Sequence, residues 1–523
     1  MADMAESTIT FLILAGAVVL FMSNRVAVAL VALSVSLSLW ATGILSLEQA
    51  LAGFGDPTVL FIAATFVVAE SLDATGVTAW VGQQLLDRAG TQRSRVLAIV
   101  MVVCALITAL ITPNASVAAL IPVVVIIAIR VREPSSQFLM PLAFGAHAGA
   151  LLALTGSPVN VLISEAGDDA GVGRFGFFEF ALAGIPLLIG TVAITVLLGP
   201  KVLPRRNPKV MPPDFSTLAA TLVRDYELDE GAEIFSRATG VAEVVIPPRS
   251  GLIGQTAFPG MVTESGDLVM IAIQRAGEQL GPGEVILAAG DSILLRGTWE
   301  ALSIHLDGDE VLTVDYPDAV RRQVVTLGIG AMEALGVLAG MVILLATGAV
   351  PPAVAALLAA GLLIMLRVIS IDHAYRAISW TTVILVAGMI PLSTAMQTTG
   401  AARQLADGLI RIVGDAGPYA LLLGLFVLVA VLGQLISNTA TALIVIPIAV
   451  SSAAELDVSA RPVLMAVNVA ATAALLTPIA TPANLMVMEP GGYRFGDYWK
   501  LGLPLLGWYA VIAIVIVPQI WQF

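Results

Sequence analysis

The chain has 523 residues, 58% apolar and only 12% charged, and its mean hydropathy of +0.94 excludes an ordinary water-soluble domain. Its formal net charge of −13 argues against nucleic-acid binding, and the excess is local: residues 201–318 hold 9 basic and 18 acidic side chains against 16 and 20 elsewhere. One cysteine, Cys104, excludes an internal disulfide or a cysteine metal cage, three histidines leave little for a metal centre, and no catalytic constellation indicates an enzyme.

Apolar runs such as 25–47 and 376–397 approach or exceed the roughly 20 residues that carry a helix across a hydrocarbon core, and the alternation expected of a barrel is missing. The pattern predicts an all-α polytopic membrane protein. In a first half, 1–200, spans are expected at about 8–23, 26–43, 57–73, 138–165 and 175–200. No basic region or cleavage site marks the start as a leader, so 8–21 is read as a retained span. Arg88, Arg93 and Arg95 precede the apolar stretch 96–129, and Arg130 and Arg132 follow it. Positive charge at both ends puts both on the cytoplasmic side, so 96–130 is expected to be a re-entrant hairpin with its tip near Thr112-Pro113-Asn114. An amphipathic segment at about 76–90 is expected to lie in the interface.

From 201 to 318 the pattern changes to short β-branched runs (244–246, 268–273, 285–287, 292–295) separated by glycine and proline, which predicts a small α/β or mainly β domain. The second half, 319–523, is expected to span at about 322–347, 351–366, 379–398, 461–488 and 501–520. A second interfacial segment is expected at 400–413, and a second hairpin at 417–455, flanked by Asp415, Glu455 and Asp457 and so entered from outside.

The halves keep register with one another. Thr75-Gly76 matches Thr399-Gly400 at an offset of 324, Pro122 matches Pro447 at 325, and Asn160 matches Asn484 at 324. Opposite charge flanks make this an inverted repeat of five spans plus one hairpin each, the architecture of secondary transporters. Lys201, Arg205, Arg206, Arg321 and Arg322 place the inserted domain in the cytoplasm and both termini outside, in a multi-pass protein of the plasma (inner) membrane.

Four polar breaks interrupt the apolar spans: 112–116, 155–160, 437–441 and 477–484. Non-helical backbone at membrane depth is tolerated only where it is buried or lines a cavity. Freed carbonyls and amide or hydroxyl oxygens suit sodium, and helix N-termini with hydroxyl donors suit an anion. Candidate substrate contacts are Thr112, Asn114, Ser116, Thr155, Ser157, Asn160, Ser437, Asn438, Thr439, Thr481, Pro482 and Asn484. Candidate sodium positions are Asn114, Gly156, Asn438 and Ala480. His147, Glu70 and Glu333 are the intramembrane ionisable groups considered for proton linkage, with a neutral, hydrogen-bonded imidazole as the plainer reading of His147.

At Ser437-Asn438-Thr439, followed by Ala440-Thr441 and Pro447, the sequence resembles the divalent anion:sodium symporter (DASS) family. The resemblance spans both membrane halves. It implies that Ser437, Asn438 and Thr439 contact the anion, that Asn438 shares a sodium site with the Ala480-Thr481 backbone, and that the protein is a homodimer with an elevator-type movement. Thr112-Pro113-Asn114 departs from the second Ser-Asn-Thr expected there, since Pro113 cannot donate an amide, and this leans the substrate toward sulfate or a similar oxyanion over a dicarboxylate. The run 248–254, then 268–275, then 290–296 resembles the TrkA-C domain over about 230–310, which implies dimerisation or a small-molecule effector. No phosphate-cradling glycine motif accompanies it. Sodium-coupled symport is the leading expectation, with sodium as coupling ion and no cofactor. A proton-coupled transporter or antiporter of the same fold, or a membrane receptor signalling through the inserted domain, are the alternatives.

Overall fold

The computed structural model describes residues 2–23, 25–78, 80–81, 84, 92–206, 218–226, 234–236, 238–306, 310–317, 320, 327–328, 330–413 and 417–523. The expected interfacial segment at 76–90 falls largely outside these, as do Arg88, Arg321, Arg322 and Asp415. The chain divides into two compact units, one of Met1–Asp73, Val81–Met211 and Met332–Phe523, the other of Ala74–Trp80 and Pro212–Ala331.

The first unit is helical. Its first stretch comprises α1 (Ala2–Ser23), α2 (Val28–Ala41), α3 (Leu47–Leu51), α4 (Pro57–Ala74), α5 (Arg93–Leu110), α6 (Pro113–Val131), α7 (Leu139–Gly149), α8 (Pro158–Asp169) and α9 (Ala181–Val202). Beyond the second unit come α12 (Ala331–Thr347), α13 (Pro352–Met365), α14 (Ile371–Ala377), α15 (Trp380–Thr398), α16 (Ala401–Val413), α17 (Pro418–Leu432), α18 (Asn438–Glu455), α19 (Ala460–Ala471) and α20 (Pro482–Met488). The last helix, α21 (Tyr498–Val511), runs through a π-turn at Ile512–Ile516 into α22 (Val517–Ile520). Among the described residues, seven helical stretches are long and apolar enough to cross a membrane. Several expected spans are shorter than the sequence pattern implied: 26–43 yields 14 residues of helix and 351–366 another 14. The reason is local. Proline and glycine at the span ends, such as Pro351 before α13, start or stop the helix inside the apolar run.

Both expected spans that carry a polar break are divided. Residues 138–165 fold as α7, a 3₁₀ turn at Leu154–Gly156 and α8; 461–488 fold as α19, a 3₁₀ turn at Pro478–Ala480 and α20. The first hairpin is a helix pair, α5 and α6, whose arms of 18 and 19 residues are each about 27 Å long at 1.5 Å per residue. The chain folds back between them: Thr108 Oγ1 lies 2.5 Å from Ser116 Oγ and Cys104 Sγ lies 3.8 Å from it, across a tip at Ile111-Thr112. In the second hairpin α17 ends at Gly433 and α18 starts after Ser437.

The second unit contains a five-stranded antiparallel sheet in the order β4-β3-β6-β1-β7 (Glu278–Gln279, Leu268–Arg275, Ser292–Thr298, Thr239–Val245, Leu312–Thr313), and a small pair β2-β5 (Thr256–Ala257, Val285–Ile286). Among the described residues two helices accompany it, α10 (Leu218–Asp225) and α11 (Trp299–His305). Alternation along β6 buries Ile293 and Leu295 with Val244, Ile273, Trp299 and Leu302 in one cluster and Leu294 with Val241 and Ala272 in another. The sheet is therefore covered on both faces.

Candidate functional site

Each of the four breaks ends in a helix N-terminus capped by a hydroxyl. Thr112 Oγ1 accepts from Ala115 N at 3.5 Å before α6, Ser157 Oγ from Val159 N at 3.2 Å before α8, Ser437 Oγ from Ala440 N at 3.3 Å before α18, and Thr481 Oγ1 from Asn484 N at 3.2 Å before α20. In three of the four, proline occupies the first helical position, where its missing N–H costs nothing and its fixed φ suits the helix. A capping hydroxyl that accepts from its own backbone keeps its proton free to donate outward. In the first half Thr112 and Ser157 line one cleft, so two helix N-termini and two such hydroxyls form a donor-rich surface that suits an anion.

The breaks are held open by two asparagines doing the same work. Asn160 Nδ2 donates to Ala150 O (2.7 Å) and Ala153 O (2.8 Å), which are 10 and 7 residues before it. Asn484 Nδ2 donates to Ala474 O (2.8 Å) and Thr477 O (3.1 Å), again 10 and 7 residues before it. Both side chains are fully buried, so these bonds replace the water that freed carbonyls would otherwise need. Their oxygens face groups from the other half of the chain. Asn468 Nδ2 donates to Asn160 Oδ1 at 2.9 Å, and His147 Nε2 lies 3.0 Å from Asn484 Oδ1. Because both Asn484 Nδ2 protons are used, His147 donates from Nε2, which places a proton on that nitrogen; Thr481 Oγ1 stands 3.2 Å from it.

The helices that follow approach the breaks closely. A Cβ added at Gly184 of α9 would overlap the Leu151 carbonyl, and one at Gly502 of α21 would overlap the Leu475 carbonyl. Only glycine admits this contact of helix on unwound backbone.

The hairpin tips meet the breaks differently. In the first half Thr155 Oγ1 donates to Ala109 O at 2.8 Å. Residue Gln434 of the second hairpin reaches the second break with its side chain instead, donating Nε2 to Ala473 O (3.2 Å) and accepting from Leu476 N (3.1 Å). In the first tip Ser116 bonds Thr108 and donates to Pro113 O at 3.1 Å. The buried oxygens Asn438 Oδ1, Thr441 Oγ1 and Thr477 Oγ1 of the second tip and break have no hydrogen-bond partner. Unpartnered buried oxygens at a break suit a cation, whose coordination consumes lone pairs without needing a proton.

The expected residues fall into two groups. Buried at the breaks are Ser116, Thr155, Gly156, Asn160, Ala480, Thr481 and Asn484, together with His147. Open or partly open are Thr112, Ser157, Asn438 and Thr439, with Asn114, Ser437 and Pro482 exposed. Of the two carboxylates considered, Glu70 is paired with His373 at 3.0 Å near a helix end, and Glu333 lies in the first turn of α12. Sequence reasoning missed Asn468, Gln434 and Thr65. Asn468 is a lone amide inside an apolar helix and Gln434 one in the turn that follows α17, a signal that could have found them; Thr65 lines a narrow cleft with Thr112, Thr155 and Ser157, and nothing in the α4 sequence marks it.

The family profile described as CitMHS, citrate transporter, matches residues 18–467 and 400–522. The chain is 29% identical to the uncharacterized transporter YfbS of Escherichia coli (strain K12), over 98% of both chains. It is 25% identical to sodium/sulfate cotransporter 2 of Chlamydomonas reinhardtii, over 56% of this chain and 34% of that protein. Its fold is similar to the crystal structure of the Alcanivorax borkumensis YdaH transporter, described as revealing an unusual topology, with a TM-score of 0.50 and 13% identity over 96% of this chain and 98% of that one. Helical spans, broken at polar segments and matched by this profile along nearly their whole length, identify the chain as a multi-pass membrane transporter rather than an enzyme, and it belongs to the citrate transporter family.

Proposed function

We propose that the chain is a secondary active transporter carrying a small divalent anion together with sodium. The observation that carries this reading is the pairing, at each break, of donor-bearing helix N-termini with hydroxyl, amide and carbonyl oxygens, three of which lack partners in the second half. Donors alone would suit a passive anion site, whereas donors beside unpartnered oxygens suit an anion and a cation held at once. Sulfate or a similar oxyanion is the favoured cargo, supported by the name of the algal sodium/sulfate relative and by the missing amide at Pro113. The family's citrate description supports a second reading, a carboxylate substrate at the same donors.

Bonds from Asn160 and Asn484 to carbonyls at identical spacings, 324 residues apart, support an inverted repeat with one site per half. Alternating access in a homodimer by an elevator-type movement rests on the DASS resemblance, as does the assignment of the second unit as a cytoplasmic TrkA-C-like module that docks or senses an effector. The plasma (inner) membrane location goes with these.

Proteoliposomes with a sodium gradient, or separately a proton gradient, should accumulate labelled sulfate in preference to succinate or citrate only when sodium is higher outside. Asn438→Ala should abolish that accumulation while the protein stays monodisperse in detergent. Accumulation driven by the proton gradient alone would instead favour the proton-coupled alternative, and saturable binding without flux the receptor.

A further inference from the structure

The first-half cleft has a third wall that neither the hairpin nor the broken span supplies. Phe61, Ile62, Thr65 and Phe66 of α4 face Thr112, Thr155 and Ser157 across it. Three of those four α4 residues are apolar, so Thr65 is the one polar side chain that α4 brings to the cleft. Its hydroxyl donates back to Ile62 O at 2.9 Å. That bond is a local one that a hydroxyl exchanges by rotating its proton, with no movement of heavy atoms.

The corresponding position of the second half carries no such group. Counting on by the 324-residue offset that relates Thr75-Gly76 to Thr399-Gly400, Thr65 corresponds to Met389, which is fully buried in α15. At this position the hydroxyl thus stands in the half whose hairpin tip has proline at its first helical position. In the second half Asn438 holds the first position of α18; in the first half Pro113 holds the first position of α6 and offers neither N–H nor amide.

We propose that Thr65 is a specificity-determining residue of the first-half site, where its hydroxyl supplies to a bound oxyanion the hydrogen bond that Pro113 cannot. This rests on the transport reading above and adds α4 to the site. The role requires the hydroxyl and little else, so a shape-conserving loss and a hydroxyl-conserving change should separate. In sodium-driven sulfate uptake, Thr65→Val should raise KM by about tenfold to a hundredfold, the range of one lost hydrogen bond to a charged partner, with kcat little changed. Thr65→Ser should restore the wild-type KM to within about twofold.

A second measurement does not depend on flux. Cys104, the one cysteine, is fully buried, so Thr65→Cys adds a single partly exposed thiol to the otherwise unaltered chain. Sulfate should slow its reaction with a small maleimide several-fold at concentrations near KM, and chloride at equal ionic strength should not. Unchanged KM in Thr65→Val, or equal labelling with and without the anion, would overturn the proposal. If the unaltered protein accumulates none of the anions tested, the transport reading fails and labelling protection by sulfate or citrate alone decides the subsite.

Discussion

The two breaks are alike in what holds them and unlike in what they offer. Asn160 and Asn484 tie off the same pair of carbonyls in each half, at the same spacings, and each is held in turn by a side chain from the other half, Asn468 or His147. The hydroxyls around them diverge. In the first half Thr108, Ser116 and Thr155 are all bonded within the protein, whereas in the second Asn438 Oδ1, Thr441 Oγ1 and Thr477 Oγ1 have no partner. Support for unwound backbone is a fixed requirement of the membrane interior and has stayed the same in both halves. The hydroxyls carry no such constraint, and the two halves differ in them.

The largest effect should come from removing that support. Asn160→Ala would strand Ala150 O, Ala153 O and the Asn468 amide, and Asn484→Ala would strand Ala474 O and Thr477 O and leave His147 Nε2 only Thr481 Oγ1, all in buried surroundings. At about 1–3 kcal/mol for each unsatisfied group, either change should cost several kcal/mol. Thermal unfolding in detergent should show both variants destabilised to a similar extent. A large loss in one and none in the other would break the equivalence of the two halves.

His147 sharpens the same comparison with a smaller change. If it donates to Asn484 as a neutral imidazole, His147→Gln keeps a donor and should be tolerated, while His147→Leu leaves Asn484 Oδ1 buried and bare, at a cost of about 1–3 kcal/mol. The readouts are unfolding temperature and sodium-driven uptake of the two variants. Equal behaviour of Gln and Leu would mean that the bond does not hold the break; loss of uptake in both with stability intact would return His147 to the proton-linked role.

Much of this was legible in the sequence, and what was not has a physical cause. Thr-Pro and Ser-Pro pairs before apolar runs announce helix starts, and the structure has α6, α8 and α20 beginning at those prolines. Val and Ile runs between glycines fall on strands β3 and β5 within two residues and on parts of β1 and β6, which extend five residues earlier and three residues later than the runs. The work of Asn160 and Asn484 was not legible, because spacing shows that two amides correspond but not which carbonyls they reach. Asn468 and Gln434 are isolated amides in apolar stretches, and only packing brings a break alongside them. Thr65 is the hardest case: a threonine in a helix normally bonds its own carbonyl, as this one does.

The smallest effect contrasts the membrane unit, whose site is built largely from neutral groups, with the second unit, where a charge pair closes a turn. Asp291 is fully buried and receives Arg275 Nε at 2.7 Å and Nη2 at 2.8 Å, with Ala288 N at 2.8 Å on the same carboxylate. The Arg275 hydrogen bonds hold the Asp291 carboxyl below its ordinary value against the opposing effect of burial. A carboxyl depressed by folding contributes stability that is whole above the unfolded value, about 4, and is lost as pH falls through the lower folded one. Limited proteolysis of the full-length protein should therefore find cleavage within 238–306 accelerating as pH drops below about 4. Asp291→Asn should be cleaved faster at neutral pH and lose that acid step, since no carboxylate is left to titrate. An acid step of unchanged size in Asp291→Asn would assign it to other carboxylates and leave the Arg275 pair a surface contact without consequence for the fold.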